Sequence, residues 1–376
     1  EQMDIKKAVR EFCEKEFTPE LGLELDRKED YPRELYKKAA KLGFTSIRFP
    51  EEYGGQGYGI LEECLVTEEM CRADPGIGVA VVSGTFGSDI IMEHGTEEQK
   101  KKYIPPLCKG EFISALACTE PAHGSDITRM DTTAVKSGDE WLINGLKTFI
   151  TNASVANFFQ VLCQTDPKVT PSYRGESLIV VDGDTYGVDV TQLKDKMGIR
   201  PAVTGEVSFS DVKVPEDNLI GELNRGFYQV MGFFDLSRIP IAAQAVGMAQ
   251  GAFERSFNYA KEREQFGSPI IQFQAIQFKL AEMATKIEAA RLLTYKAAWL
   301  ADQGKIDPMI TSMAKAFASR TAMEVTDEAI QIYGGYGYMG DYHIERFHRC
   351  AKITEIYEGT TEIQKLTIMR YLLKRM

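Results

Sequence analysis

The hydrophobic period of this chain changes twice, and that change limits the architectures open to it. Over residues 1 to about 110 the apolar spacing is helical, with Ile5, Val9 and Phe12 on one helix face. Pro32 can open and Gly43 can close a second helical stretch. A third runs over about 78–93, ahead of Gly95, while Gly54, Gly55, Gly57 and Gly59 make residues 50–59 a loop. From about 112 to 221 the period shortens. Asn144-Gly145 predicts a hairpin between residues 141–143 and 148–150, and further β-rich pieces cover 158–163, 177–181, 188–190 and 207–214. Such strands read as a small barrel or sandwich. From Phe227 onward long helices return. Ile276, Leu280, Met283, Ile287, Ala290, Thr294 and Ala297 mark a bundle seam, with Gly304 near its end, and further helical patterns cover 308–333 and 361–376. The order implies an α+β fold with segregated layers.

Length and charge narrow the function. At roughly 150 residues per domain, 376 residues suggest two or three domains. Lys and Arg total 44 against 55 Asp and Glu, a net charge of −11 that argues against nucleic-acid binding. Four His and seven scattered Cys, none at CxxC spacing, predict neither a metal site nor a disulfide framework. Free thiols fit a reducing compartment, so a cytoplasmic protein is expected, or a mitochondrial matrix one if a transit peptide precedes Glu1. The apolar runs are expected to fall short of a membrane span.

Gly335-Tyr336-Gly337-Tyr338-Met339-Gly340 matches GxGxxG, with Glu355 and Glu358 roughly 20 residues on. A dinucleotide fingerprint must follow a strand and open a helix. Residues 322–333 are helical in pattern instead, so the run reads as a helix C-cap and glycine loop.

Three segments carry candidate chemistry. Residues 116–126 (LACTEPAHGSD) offer hydroxyls, small residues and backbone donors to a cofactor, although a plain turn would look the same. Phe149-Ile150-Thr151 could flank a planar ring or simply be core strand. In residues 356–364 (IYEGTTEIQ), Thr361 and Gln364 form a capping box, which leaves Glu358 in the loop before a helix. It either enters an interhelical crevice or is solvated.

Taken in order, the motifs resemble the acyl-CoA dehydrogenase family over essentially the whole chain. They are Pro50-Glu51-Glu52-Tyr53-Gly54-Gly55, Thr119-Glu120-Pro121 with Gly124-Ser125-Asp126, and Asn144-Gly145 with Lys147 and Ile150-Thr151-Asn152. Arg263 with Phe266-Gly267 and Phe273-Gln274 follow, then Gln331 with Gly334-Gly335-Tyr336-Gly337, and finally Ile356-Tyr357-Glu358-Gly359-Thr360. The resemblance implies an N-terminal helical domain (1–112), a middle β-barrel domain (113–222) and a C-terminal four-helix bundle (223–376). It implies FAD between the last two, in a homotetramer.

By the same resemblance, Leu116, Cys118, Thr119, Gly124, Ser125, Phe149 and Thr151 match flavin contacts. Arg263, Phe266, Gln274, Gln331, Gly335, Thr360 and Glu362 match positions around the pyrophosphate and adenosine. Ser125, Asp235, Arg238, Val82, Phe86 and Gly359 match substrate-binding positions. Glu358 falls on the catalytic base, which removes the α proton of an acyl-CoA thioester as hydride leaves the β carbon for flavin N5. The family holds the thioester oxygen with the N–H of that Glu and a ribityl hydroxyl, and passes electrons to electron-transferring flavoprotein.

Phe149 stands where the family often has Trp, His123 where a small residue is usual, and Cys350 where Asp is usual. Val82, Phe86 and Asp89 fall at i, i+4 and i+7 of the stretch whose counterpart lines the acyl pocket. A carboxylate on an apolar wall is costly unless paired or functional. Asp89 could be a second catalytic base, as members acting on alicyclic esters are thought to need, which points to a cyclohexene-carboxyl type of CoA ester and a diene product. It could instead bind a polar substrate group, face solvent or bond a neighbour. No Arg lies on the 82–89 stretch, which counts against a dicarboxylyl substrate. The alternatives are an ordinary short- or branched-chain α,β-dehydrogenase, an oxidase on the same scaffold, and a catalytically silent assembly protein.

Overall fold

A computed structural model describes residues 1–375, in the order helices, sheet, helices. The first layer holds α1 (Gln2–Glu16), α2 (Pro19–Lys28), α3 (Arg33–Lys41), α4 (Ile60–Ala73), α5 (Pro75–Val82), α6 (Ser88–His94) and α7 (Glu97–Cys108). The sequence reading missed α2. Its signals are a Thr18 cap, which accepts a hydrogen bond from the Leu21 N–H, and Pro19 at the first helical position.

The expected helix over 78–93 is two helices. A 3₁₀ turn at Ser83–Thr85 and Gly87 at φ 87° break it, so the i, i+4, i+7 argument for Val82, Phe86 and Asp89 does not hold. The bend brings the three to one cavity by a different route. The expectation about membrane spans also needs correction. Pro75–His94 has the length and, at a mean hydropathy of 1.3, the composition to cross a membrane. Here the turn at Ser83–Thr85 divides it into α5 and α6, and it is largely buried as core.

The middle layer is one sheet of β1 (Ser114–Ala117), β2 (Thr133–Ser137), β3 (Glu140–Thr151), β4 (Phe158–Gln164), β5 (Glu176–Asp182), β6 (Val188–Leu193), β7 (Thr204–Pro215) and β8 (Leu219–Ile220). The order is β6-β7-β3-β2-β4-β5-β8, with β1 also beside β4. Among the described residues the end strands β6 and β8 are not hydrogen-bonded to each other.

Asn144-Gly145 makes no hairpin, because β3 runs straight through it. The β3–β7 register shifts between Ile143 and Gly145, and the dipeptide serves that bulge. Gly145 sits at φ 155°, where a Cβ would lie 2.4 Å from Thr132 Oγ1. Asn144 Oδ1 accepts from the Asp211 N–H at 2.8 Å. The true turn is Gly138-Asp139, between β2 and β3. A second shift, between Lys147 and Ile150, holds Phe149 at φ 56°.

The last layer contains α8 (Gly226–Glu262), α9 (Gln274–Asp302), α10 (Pro308–Tyr333), α11 (Ile344–Ala351) and α12 (Thr361–Arg375). At 1.5 Å per residue the 37 residues of α8 extend about 55 Å. They reach from the sheet through the bundle. The seam on α9 is buried as read, with Ile276 half-buried at its start. Gly334, at φ 62°, caps α10 just ahead of the GxGxxG run, whose first residues form a 3₁₀ turn. The cap of α12 is one residue earlier than expected: Thr360 Oγ1 accepts from the Ile363 N–H.

Small residues let α8 lie against α4. A Cβ on Gly247 would stand 2.3 Å from the Glu68 carbonyl oxygen, and one on Gly251 would stand 2.2 Å from that of Arg72. Buried Glu68 and Glu69 of α4 add ionic ties, to Arg291 on α9 and to Lys6 and Arg10 on α1. Gly251→Val should therefore lower unfolding free energy by about 1–3 kcal/mol, measured by denaturant titration. An unchanged midpoint would show that the two helices can separate freely.

Candidate active site

Glu358 lies in the loop just before α12, and its backbone is held in an unusual conformation from three sides. The residue sits at φ 57° and Gly359 at φ 89°. Arg238 Nε donates to the Glu358 carbonyl at 2.9 Å, and Gln364 Nε2 donates to the carbonyls of Glu358 and Gly359 at 3.0 and 2.9 Å. Lys315 Nζ, fully buried on α10, donates to the Gly359 carbonyl at 2.7 Å. Non-glycine residues persist in such a conformation only where the surroundings fix it.

The carboxyl is equally constrained. Ser237 Oγ, on α8, donates to Oε2 at 2.9 Å, while Oε1 is buried with no partner. Burial pushes the carboxyl up to about 7, against the opposing pull of Arg238, Ser237 and Lys315. Burial also pulls the Lys315 ammonium down to about 8. The Glu358 N–H makes no hydrogen bond among the described residues, so it is free to meet an oxygen in the cavity.

That cavity, of about 170 Å³, lies where the three layers meet. Of the residues singled out in the sequence, it gathers Glu358, Asp89, Val82, Phe86, Leu116, Cys118, Thr119, Phe149 and Thr151. Phe149, on this wall, is 69% exposed. The 116–120 loop is tied from beneath by buried Lys147, which donates to the Cys118 carbonyl at 3.0 Å and pairs with Glu120 at 2.8 Å. Glu120 in turn accepts from the N–H groups of Asp131 and Thr132. Glu120, His123 and Asp131 offer three ligand atoms close together. Both Glu120 oxygens are already committed, however, and His123 Nε2 simply faces Asp131 at 3.3 Å.

Other predicted residues stand elsewhere. Gly124 and Ser125 are exposed on the loop beyond Glu120. Asp235 pairs with Arg238 at 3.4 Å, and Arg238 is committed to the Glu358 carbonyl, so neither lines the main cavity. Gly359, Thr360 and Glu362 lie at the start of α12. Arg263 and Gly335 line a second cavity of about 420 Å³, where the Arg263 guanidinium stands 5.4 Å from the Tyr336 ring centroid. Phe266 (96% exposed, φ 53°), Gln274 and Gln331 are exposed at the same end of the bundle. Cys350 is buried and its sulfur accepts from the Ile199 N–H at 3.1 Å.

Sequence reasoning missed Ser237, Lys315, Tyr357, Gln244, Arg48 and Glu63. Tyr357 Oη bonds Gln244 on the cavity wall. Arg48 enters from the loop after α3, pairing with Glu63 Oε2 at 2.6 Å and with Asp89 Oδ1. Asp89 is therefore paired, by a residue outside the 82–89 stretch. Pro240, inside α8, was a visible signal: it lies on the cavity wall and frees the backbone carbonyl four residues earlier.

The raised Glu358 carboxyl links stability to pH. The folded state holds this proton up to about 7 while an unfolded carboxyl loses it near 4.5, so its stabilising contribution is complete below 4.5 and is lost as pH rises toward 7. Glu358→Gln should then be increasingly more stable than the parent from pH 4.5 to 7, with a constant gap above. Thermal midpoints that differ equally at all pH values would contradict the burial effect.

Family models match the chain in sequence: acyl-CoA dehydrogenase N-terminal domain over residues 1–111, middle domain over 115–212 and C-terminal domain over 224–373. The 3-(aryl)acrylate reductase of Clostridium sporogenes is 42% identical over 372 residues, 98% of each chain. The caffeyl-CoA reductase-Etf complex subunit CarC of Acetobacterium woodii is 41% identical over 99% of this chain and 98% of its own. The butyryl-CoA dehydrogenase structure from Megasphaera elsdenii superposes with a TM-score of 0.95 at 40% identity, covering 99% of this chain and 98% of that one. With all three domain models in order and relatives matched end to end, the chain belongs to the acyl-CoA dehydrogenase family.

Proposed function

We propose that this protein is an FAD-dependent acyl-CoA dehydrogenase in which Glu358 removes the α proton of a CoA thioester. The observation that carries this is the Glu358 carboxyl itself: desolvated, raised to about 7, and with Oε1 unpartnered in a cavity shared by all three layers. A base poised near the working pH is the one best matched to a weakly acidic C–H. The Glu358 N–H stabilises negative charge developing on the thioester oxygen. Ser237 orients the carboxyl through Oε2, and Arg238, Gln364 and Lys315 hold its backbone in place.

The residues fit FAD because Phe149 presents an aromatic face in a left-handed conformation beside the cavity, a conformation that strains a residue with no role. Leu116, Cys118, Thr119, Gly124, Ser125, Phe149 and Thr151 would hold the flavin end. Arg263, Phe266, Gln274, Gln331, Gly335, Thr360 and Glu362 would hold the pyrophosphate and adenosine, partly across a subunit boundary. When bound, FAD supplies the acceptor for hydride from the β carbon. Segments 1–112, 113–222 and 223–376 act as three domains that meet at the site. Large apolar residues exposed on α9 (Phe278, Leu292, Trp299) and α12 (Leu366, Met369, Leu373) support a homotetramer. The relative named as part of an Etf complex supports electron-transferring flavoprotein as redox partner. Relatives named as reductases support turnover in either direction, by the same base acting as acid in reverse.

Glu358→Gln should retain FAD and acyl-CoA binding but slow anaerobic flavin bleaching by about 10²–10⁴-fold. A purified protein that takes up no FAD would favour a silent assembly role instead, and bleaching unaffected by the substitution would remove Glu358 from the mechanism.

A second reading is favoured by Asp89. It lines the same cavity, and although Oδ1 is taken by Arg48, Oδ2 makes no hydrogen bond among the described residues. In that reading the substrate is a cyclohexene-carboxyl type of CoA ester, Asp89 Oδ2 takes a proton from a ring carbon beyond the usual α position, and bound FAD would accept the hydride lost from a second ring carbon, so that a diene results. Asp89→Asn should cut turnover of the cyclic ester by about 10²-fold or more while butyryl-CoA turnover changes far less. Equal effects on both esters would leave Asp89 without a role in proton transfer.

A further inference from the structure

Past Asp89 the cavity continues into a chamber of about 20 Å³. On this measure a single water needs about 10–15 Å³, so the chamber has room for one heavy atom with its hydrogen. Arg48, Glu63, Thr67, Val82, Thr85 and Asp89 line both spaces, while Thr45 and Ser46, among others, line only the chamber. Thr45 Oγ1 is buried and has no hydrogen-bond partner. Arg48 directs Nε to Glu63 and Nη2 to Asp89, and its Nη1 donates to nothing among the described residues. An apolar group here would leave both the hydroxyl and a guanidinium edge unpaired, which is costly in a buried place.

The charge of the chamber selects further. One Arg faces two carboxylates, and burial together with the Asp89 charge pushes Glu63 up. Whether Glu63 is ionised or neutral, the three side chains sum to −1 or zero. Asp302 of α9, which caps α4 through the Ile60 and Leu61 N–H groups, adds more negative charge nearby. A substrate carboxylate meets no surplus positive charge, and a substrate ammonium would lie against Arg48.

We propose that this chamber is a specificity subsite for one uncharged polar atom, a hydroxyl or ketone oxygen, at the far end of the acyl group. The inference rests on the reading of the larger cavity as an acyl-CoA site, and it does not require Asp89 to act as a base. Arg48 Nη1 would donate to the oxygen, and Thr45 Oγ1 would accept from a hydroxyl or donate to a ketone.

The test uses the FAD-loaded protein and spectral titration with matched CoA esters, under anaerobic conditions. Hexanoyl-CoA and cyclohexanecarboxyl-CoA are each compared with their distal hydroxy, keto, carboxy and amino derivatives, with butyryl-CoA bleaching as the control for activity. The hydroxy or keto ester of at least one series should bind about 10–100-fold tighter than its parent, as expected for hydrogen bonds to a charged donor. The carboxy and amino esters should bind no tighter than the parent. Thr45→Val should reduce the ratio of hydroxy to parent affinity in that series, a ratio that a general loss of folding would not alter. If butyryl-CoA bleaches the flavin but no hydroxy or keto ester outbinds its parent, the subsite proposal is wrong and the dehydrogenase reading stands. Preference for the carboxy or amino ester, or a ratio untouched by Thr45→Val, also overturns it. If no ester of any kind bleaches the flavin, the dehydrogenase reading itself fails.

Discussion

Taking one carboxyl out of water is the constraint on which the rest of the site depends. In solvent Glu358 would be ionised and a poor match for a weakly acidic C–H. Buried with one oxygen unpartnered it rises to about 7, and the same burial would raise it further without Arg238, Ser237 and Lys315. Those groups have a double duty. Arg238 and Lys315 bond backbone carbonyls and so fix the loop, while their charge limits how far the carboxyl is neutralised. Geometry and basicity are therefore set by the same side chains, and neither can be altered alone.

No single layer could build this environment. The N-terminal helices supply the acyl-side wall, β1 and β3 supply Leu116, Cys118 and Phe149, and α8 with the Tyr357-Glu358 loop supplies the base. The long α8 makes the arrangement rigid, because its amino-terminal part packs on the sheet and the rest forms bundle core. Glycines at 247 and 251 let α4 approach its backbone, and the buried Glu68 and Glu69 tie α4 to helices on both sides. An error in docking the layers would thus be felt directly at the cavity.

The sequence made the layer order, the bundle seam, Glu358 and the glycine loop after α10 legible, because period, caps and motif order are local properties. It misled at Asn144-Gly145, where a dipeptide suited to a two-residue turn is equally suited to a bulge, and only pairing with β7 decides between them. It misled again at residues 78–93, whose composition is helical throughout but whose backbone turns at Gly87. Arg48, Ser237 and Lys315 were not legible at all. Each acts on a partner at least 15 residues away, and nothing local distinguishes a buried cation from a solvated one. Asp89 was noticed through a helix-face argument that fails, yet it does reach the cavity.

The broken helix of Pro75–His94 has a consequence for how the chain is made. Val79 and Ala80 belong to the bundle core and Ile90 and Ile91 pack with α8 residues such as Val230, yet α8 begins only at Gly226. At a synthesis rate of about 5–20 residues per second, an apolar segment with membrane-like composition waits roughly 7–26 s for its cover. Synthesis thus presents this apolar stretch well before the C-terminal helices that complete its burial.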